Sequence, residues 1–515
     1  MGNHISRRAC RSAFIVGVVA VAVVVTSCAA PPTSAPPGAC TPSVRPPAPS
    51  RAIVDDCSGL VDVADLAPAP PPPLCVADGA VFGPFCPAGG TGPGGTASTQ
   101  GALEAWRGCT AIDGDLVVGG AVCSLDPLES LTTVNGSLTL GGGEDASDQF
   151  VVVDLAGLEG LRTVTGTLTI SGLPALASLS GLSSLQHVGV DLELRQLPAL
   201  QHLRGPDSLI DVGGDVDVGF NDNLVVVDGF DGLGSIGGDG DIRDFSGVRF
   251  GHDGSLVCVG GFGALTSVGE IELEDGPVKA VPGLSTALIA AAPTLKLIDV
   301  ADFDVLTLPA VTALAGLDLV RPPPFTDLRA FAGLTTLGSL RVFDSKLQAL
   351  GGLDDLVTLG VLELRDNTDL RDVGALDGVT ALGALTLTRP QTYDLVCALP
   401  ASPTIDVVTI AQTDLRVIPW PRSLERIGAL TISANDDLDD LGDTDLVLGA
   451  AVISDNASLS NDDAIAFFDE QTVEGVAKYG NNGGQLVDPC PWFDDGVCDF
   501  FCVADSAADC PPIED

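Results

Sequence analysis

The sequence predicts a mainly β protein: a parallel β-solenoid in two consecutive halves, followed by a small disulfide-rich C-terminal module. Three observations carry that fold class. A block of about 20 residues recurs four times at a fixed spacing of 24, starting at Gly157, Gly181, Gly205 and Gly229. A period in this range marks stacked units, each able to bury its apolar face only against its neighbours. Within each block apolar and polar residues alternate, and Leu-Pro-x-Leu closes the first two copies.

The alternating segments are Thr167-Leu168-Thr169-Ile170, Asp191-Leu192-Glu193-Leu194 and Asp215-Val216-Asp217-Val218. Period-two alternation is the pattern of a half-buried strand. Leu161 with Val164, Leu185 with Val188 and Leu209 with Val212 read as a second inward-facing stretch on the opposite wall. The prolines of Leu173–Leu176 and Leu197–Leu200 cannot donate to a central ladder, so those elements turn the chain.

Less regular units fill the strand position at Val268–Leu273, Leu337–Leu340, Leu359–Leu364, Leu382–Leu387, Ile427–Ile432 and Leu448–Ile453. Leu340, Leu362 and Leu385 follow one another at spacings of 22 and 23. Residues 276–330 break the pattern and contain Arg321-Pro322-Pro323-Pro324. They read as an irregular junction between a first half, 105–275, and a second, 331–470.

Gly108-Cys109-Thr110-Ala111-Ile112-Asp113-Gly114-Asp115-Leu116-Val117-Val118, with the "L…L…V.G.L.L" units after it, resembles the opening of a receptor L domain. That family is the leucine-rich-repeat-like β-helix of insulin- and epidermal-growth-factor-receptor ectodomains, found also in fungal and bacterial surface proteins. The resemblance covers roughly residues 105–465. It implies a scaffold for a protein or glycan ligand, with no catalytic residue to carry over. The cysteine-rich module between paired L domains of the receptors is not reproduced.

At the N-terminus Arg7, Arg8 and Arg11 precede the apolar run Phe14–Val25, too short for an ordinary spanning helix and suited to a signal peptide. Val25-Thr26-Ser27-Cys28 resembles the bacterial lipobox. The resemblance implies a signal peptide over 1–27 and a lipid on Cys28; the alternatives are an ordinary secretory signal or an uncleaved anchor. Ala29 follows where aspartate would signal inner-membrane retention, so the outer membrane or cell surface is the expected location. Residues 28–100 read as a tether, Pro-rich from Pro31 to Pro73 and Gly-rich over 87–98.

A formal charge of −45 argues against nucleic acid or an anionic membrane surface as a partner. Of fourteen cysteines, twelve remain once Cys10 and Cys28 are set aside, an even number that favours disulfides in an exported chain. Local pairs are expected: Cys40 with Cys57, Cys75 with Cys86, Cys109 with Cys123. Cys258 and Cys397, each flanked by apolar residues, are two buried thiols or one bond.

The outward strand positions carry carboxylates: Asp191 and Glu193, Asp215 and Asp217, Asp239 and Asp241, Glu270 and Glu272. Equivalent positions of a parallel coil stack about 4.8 Å apart, so two acidic columns are expected on one face. Like charges opposed across strands are destabilising. Either the columns are a binding face for Ca²⁺ or a Lys/Arg-rich partner, or they are the solvated surface of an acidic protein.

Residues 486–511 form a distinct segment with Cys490, Cys498, Cys502 and Cys510. Four cysteines in so short a stretch must supply the order that a core cannot. Its D-G-x-C-D-x-x-C…D-C arrangement resembles Lin-12/Notch-type repeats, which are disulfide-held Ca²⁺ modules with six cysteines rather than four. The resemblance implies Asp499 and Asp509 as ligands, with Asp494, Asp495 and Asp505 nearby. A plain disulfide knot and a Cys₄ zinc site are the alternatives.

No Ser/His/Asp motif or phosphate-binding glycine loop stands out; of the histidines His187, His202 and His252, the first two read as solvated positions in a turn or the coil wall. Abundant carboxylates make any acid–base pair arbitrary. The chain therefore reads as a non-enzymatic binding or adhesion scaffold. A structural envelope lipoprotein is the second reading and a carbohydrate-active solenoid the third, the few aromatics (Trp 3, Tyr 2) counting against the last.

Overall fold

The computed structural model describes residues 89–482, interrupted at 143–151, 238–246, 301–309, 323–325, 371–372, 390–401, 419, 422, 443 and 481, together with Cys57, Leu60, Phe85 and Cys86. One wall of the coil is a 23-stranded sheet. Its strands pair in parallel, each with its counterpart one turn on: Leu168–Ser171 with Leu192–Arg195, and that strand with Val216–Gly219. The inward residues of these strands, Leu168, Ile170, Leu192, Leu194, Val216 and Val218, are fully buried. The β-solenoid expected from the alternation is the observed fold.

The rest of each turn follows a different period. Leu173, Leu176, Leu179, Leu182, Leu185 and Val188, every third residue, are buried in one continuous core. Backbone bonds run from Leu176 N–H to Leu173 O (3.2 Å), from Leu182 to Leu179 (2.9 Å) and from Leu185 to Leu182 (3.0 Å). Such i→i+3 turns eclipse residues three apart, so a leucine at every third position aims each side chain inward. Gly205 begins one of these stretches at φ 141°, and a Cβ there would stand 2.1 Å from Leu179 O. Only glycine meets both conditions.

Many strands of the large sheet end in a residue of left-handed conformation, among them Phe220, His252, Asp366, Gln412, Ala434 and Asp455. After these six the next residue is polar and buried: Asn221, Asp253, Asn367, Thr413, Asn435 and Asn456. Asn435 donates from Nδ2 to Ile410 O (3.1 Å) and accepts from Thr413 N–H at Oδ1 (2.9 Å). Asn456 repeats this with Ile432 O (3.2 Å) and Asn435 N–H (3.0 Å), and Asn482 with Ile453 O (3.1 Å) and Asn456 N–H (3.1 Å). Buried backbone groups require partners, and an amide column supplies both polarities at each turn.

Five expectations are corrected. Leu161 and Val164 are buried, but Thr163–Val164 belongs to the large sheet, one bend before Leu168–Ser171. In Ala111–Ala121 the two segments form one strand. Next, the fourth repeat keeps its spacing only at its start. Asp211 and Val212 pair with Ser235 and Ile236, but Val216 pairs with Val248, 32 residues on.

Residues 276–330 do not divide the sheet. Ala313–Val320 pairs with Thr294–Ile298 on one side and Thr336–Phe343 on the other. What changes is the rung. Val164 and Leu168 are four apart, whereas Leu337 and Leu340 are three apart, all buried. Losing one residue from this bend shortens the repeat and joins its two strands into one of eight residues. Gly338 occupies the tightened bend, where a Cβ would lie 2.2 Å from Ala315 O.

The last part of the expected tether is structured as well: Thr91–Thr99 is the first strand, paired with Ala111–Ala121. Pro93 is tolerated because this is an edge strand. Trp106 lies over Gly95 and donates from Nε1 to Pro93 O at 2.8 Å.

The disulfides are not the local ones. Cys86 bonds Cys109, one turn along the coil, and Cys57 bonds Cys258 at a separation of 201. Cys123 is disulfide-bonded, but not to Cys109. At the other end of the coil the helix Asn461–Glu470, opened by a Ser460/Asp463 capping box, buries Ala464 and Phe467.

Asn456→Ala is expected to lower the unfolding free energy by about 3 kcal/mol, because Asn435 N–H and Ile432 O lose their partners in a dry site. Ser458→Ala, which removes an exposed bond to Asp436 O, should cost less than about 1 kcal/mol. Denaturant midpoints measure both.

Candidate functional site

The outward residue between the two core positions of each strand forms a column on the large sheet. It reads Thr139, Thr169, Glu193, Asp217, Arg249, Glu272, Lys296, Asp318, Arg341, Glu363, Thr386, Thr409, Thr431. Among the described residues of this column, the expected stack of four carboxylates is present only as Glu193 and Asp217. The longer fourth repeat brings Arg249, not Asp241, beside Asp217. From Arg249 to Glu363 the sign of charge alternates at every step.

The charges are mutually engaged. Arg195 pairs with Asp217 and Arg249 with Glu274. Arg249 Nε lies 2.9 Å from Glu272 Oε1, and Lys296 Nζ lies 2.8 Å from Glu270 Oε1 and 3.7 Å from Glu272 Oε2. Arg341 reaches Asp318 Oδ2 (3.3 Å) on one side and Glu363 Oε2 (3.6 Å) on the other. Glu270, Glu272 and Asp318 are buried. Burial pushes their carboxyls above the ordinary range, against the pull of Lys296, Arg249 and Arg341. Burial also works against the Lys296 charge, but its bond to Glu270 and the surrounding carboxylates carry its pKa upward.

The second expected column has a different role. Asp191 Oδ1 accepts Asp215 N–H at 2.9 Å, and Asp215 Oδ1 accepts Gly247 N–H at 2.7 Å. Asp115 holds Ser137 N–H in the same way, at 2.7 Å. These carboxylates stitch successive turns together across the bend.

Ligand atoms of His252, Glu274 and Asp275 lie within 4.8 Å of one another. Their charges are partly met: Glu274 pairs with Arg249, and His252 Nε2 lies 3.1 Å from Asp275 Oδ2. His187 Nδ1 meets Asp211 Oδ2 at 2.7 Å, and burial holds His202 below its ordinary pKa.

Asp253 takes an asparagine position in the buried column. Its Oδ1 accepts Asn221 N–H at 2.8 Å, while Oδ2 is buried without a partner. Burial raises its pKa to about 8, the bonds from Asn221 opposing the rise.

The basic members of the charge column were legible in "V-R-F", "L-K-L" and "L-R-V", which share the inward–outward–inward pattern of Leu192-Glu193-Leu194. The buried amides were legible as Asn-x-x-Leu after four of the strands, at Asn221, Asn367, Asn435 and Asn456. Asp239, Asp241, Cys28, the four C-terminal cysteines and Asp494, Asp495, Asp499, Asp505 and Asp509 lie outside the described residues. No known protein family and no curated protein matches the chain.

Three outcomes follow. Lys296→Met should destabilise the fold by about 3 kcal/mol, because it leaves the buried Glu270 and Glu272 without their shared cation; Glu272→Gln in the same chain should restore part of the loss. Asp191→Ala should lower stability by about 1 kcal/mol by freeing Asp215 N–H, whereas relief of repulsion would raise it.

The third outcome concerns pH. Asp253 keeps its proton in the fold up to a pH of about 8 and loses it near 4 when unfolded. Between those values the native state binds the extra proton. Stability therefore falls as pH rises, by at most about 1.4 kcal/mol per unit from this group, and the slope ends above 8. Asp253→Asn should remove most of that slope in thermal melts from pH 5 to 9.

Proposed function

We propose that the chain is a lipid-anchored binding scaffold of the outer membrane or cell surface, which offers the outer face of its large sheet to a protein or glycan ligand. The observation that supports this most is the face itself. One parallel sheet runs the length of the described coil, with alternating charge at its centre and threonine columns on either side, Thr139 and Thr169 before it and Thr386, Thr409 and Thr431 after. Paired charges held at fixed rungs favour selection by pattern over bulk attraction. The lipobox-like Cys28 and the proline-rich stretch after it supply the anchor in this reading. The receptor L-domain resemblance points to the same class of function.

The purified soluble region, from Ala29 onward, should retain a specific polypeptide or glycan. Arg365→Ala combined with Thr409→Lys changes only the outer face, since Arg365 is exposed and Thr409 points away from the core. That pair should weaken retention at least about tenfold in Kd. Turnover of a polysaccharide by the unmodified region would overturn the scaffold reading.

A further inference from the structure

A short second sheet, His202–Leu203, Val226–Val227 and Cys258–Val259, lies apart from the large one. Leu203, Val227 and Val259 belong to the main core. The register aligns His202, Val226 and Cys258 on the other side, and a bridge extends this column to Ala280. Val226, Cys258 and Ala280 are buried in a cluster of their own with Cys57. An outward column on a solvated wall is polar, as His202 is; three apolar residues in succession mark a covered surface.

Cys57 covers it, through its disulfide to Cys258. The surface is shaped for that bridge. A Cβ on Gly260 would stand 2.9 Å from Cys57 Sγ, so glycine leaves the sulfur its room. Leu60 N–H bonds Cys57 O at 3.0 Å, which turns the chain directly after the bridge.

We propose that this patch is the dock at which the N-terminal chain joins the solenoid, so that an anchor at Cys28 holds the coil by this side wall and not by its first turn. The proposal rests on the reading of Cys28 as the lipid-bearing residue. Cys57 lies 29 residues beyond Cys28, a leash of at most about 100 Å. Without the bridge the first fixed point among the described residues is the Cys86–Cys109 disulfide, 58 residues beyond Cys28, and the limit rises to about 200 Å. The bridge therefore halves the reach of the anchor. It also places the attachment point on the short sheet and not on the large one.

The test uses the full acylated chain in phosphatidylethanolamine–phosphatidylglycerol vesicles, with a site-specific protease sequence inserted after Leu66, between Cys57 and Cys75. After cleavage the solenoid should stay on the vesicles without reductant and be lost completely once reductant is added. In the Cys57→Ser chain, cleavage alone should release it. Release of the unsubstituted chain by cleavage alone, or retention of the Cys57→Ser chain, overturns the dock. If the uncut chain fails to float with vesicles, the anchor reading falls and the side-wall attachment falls with it. The dock is then still decided in solution, where the two cleaved fragments must co-elute without reductant and separate with it.

Discussion

A parallel coil sets like positions about 4.8 Å apart, so a residue chosen for one turn meets its own kind in the next unless the sequence prevents it. Leucine gains from that arrangement, and the core is continuous from end to end. Asparagine gains as well, because its amide both donates and accepts: the side chain of Asn456 serves the backbone of the turn below it, and Asn482 serves Asn456. Charge does not gain. The column from Arg249 to Glu363 meets the constraint by alternating sign. Where two carboxylates do adjoin, Arg195 pairs with Asp217 and the Thr169 hydroxyl donates to Glu193 Oε2 at 3.1 Å.

How much of this could be read from the chain depended on whether a pattern was local. Alternation in Thr167–Ile170 and its counterparts is local, and it led directly to the strands and the solenoid. Spacing is local only while the repeat is uniform. Eight extra residues between Ile236 and Val248 shifted the phase, so extrapolation from Asp217 arrived at Asp241 instead of Arg249. The same extrapolation treated 276–330 as a gap, where the rung had become one residue shorter. Disulfides failed for a related reason. Neighbours in a coil are one turn apart in sequence, as the separation of 23 between Cys86 and Cys109 illustrates, so pairing by nearness along the chain selects the wrong partners. No local pattern links Cys57 to Cys258, although the apolar outward run at Val226, Cys258 and Ala280 was present in the sequence.

The turn from Gly247 to Cys258 concentrates these departures. Arg249 begins the alternation of charge, Asp253 stands in for an asparagine, and Cys258 holds the N-terminal chain. A carboxylate in the amide column can accept, as Asp253 Oδ1 does from Asn221 N–H, but only the neutral acid carries a donor comparable to the Asn221 Nδ2 that bonds Leu194 O. Asp217 and Asp222 favour that neutral form by repulsion, in addition to burial. The longer fourth repeat thus changes the charge pattern of the coil. At a uniform spacing of 24, Asp217 would face another carboxylate; the added length instead delivers a guanidinium, and every later rung can continue the alternation that it starts.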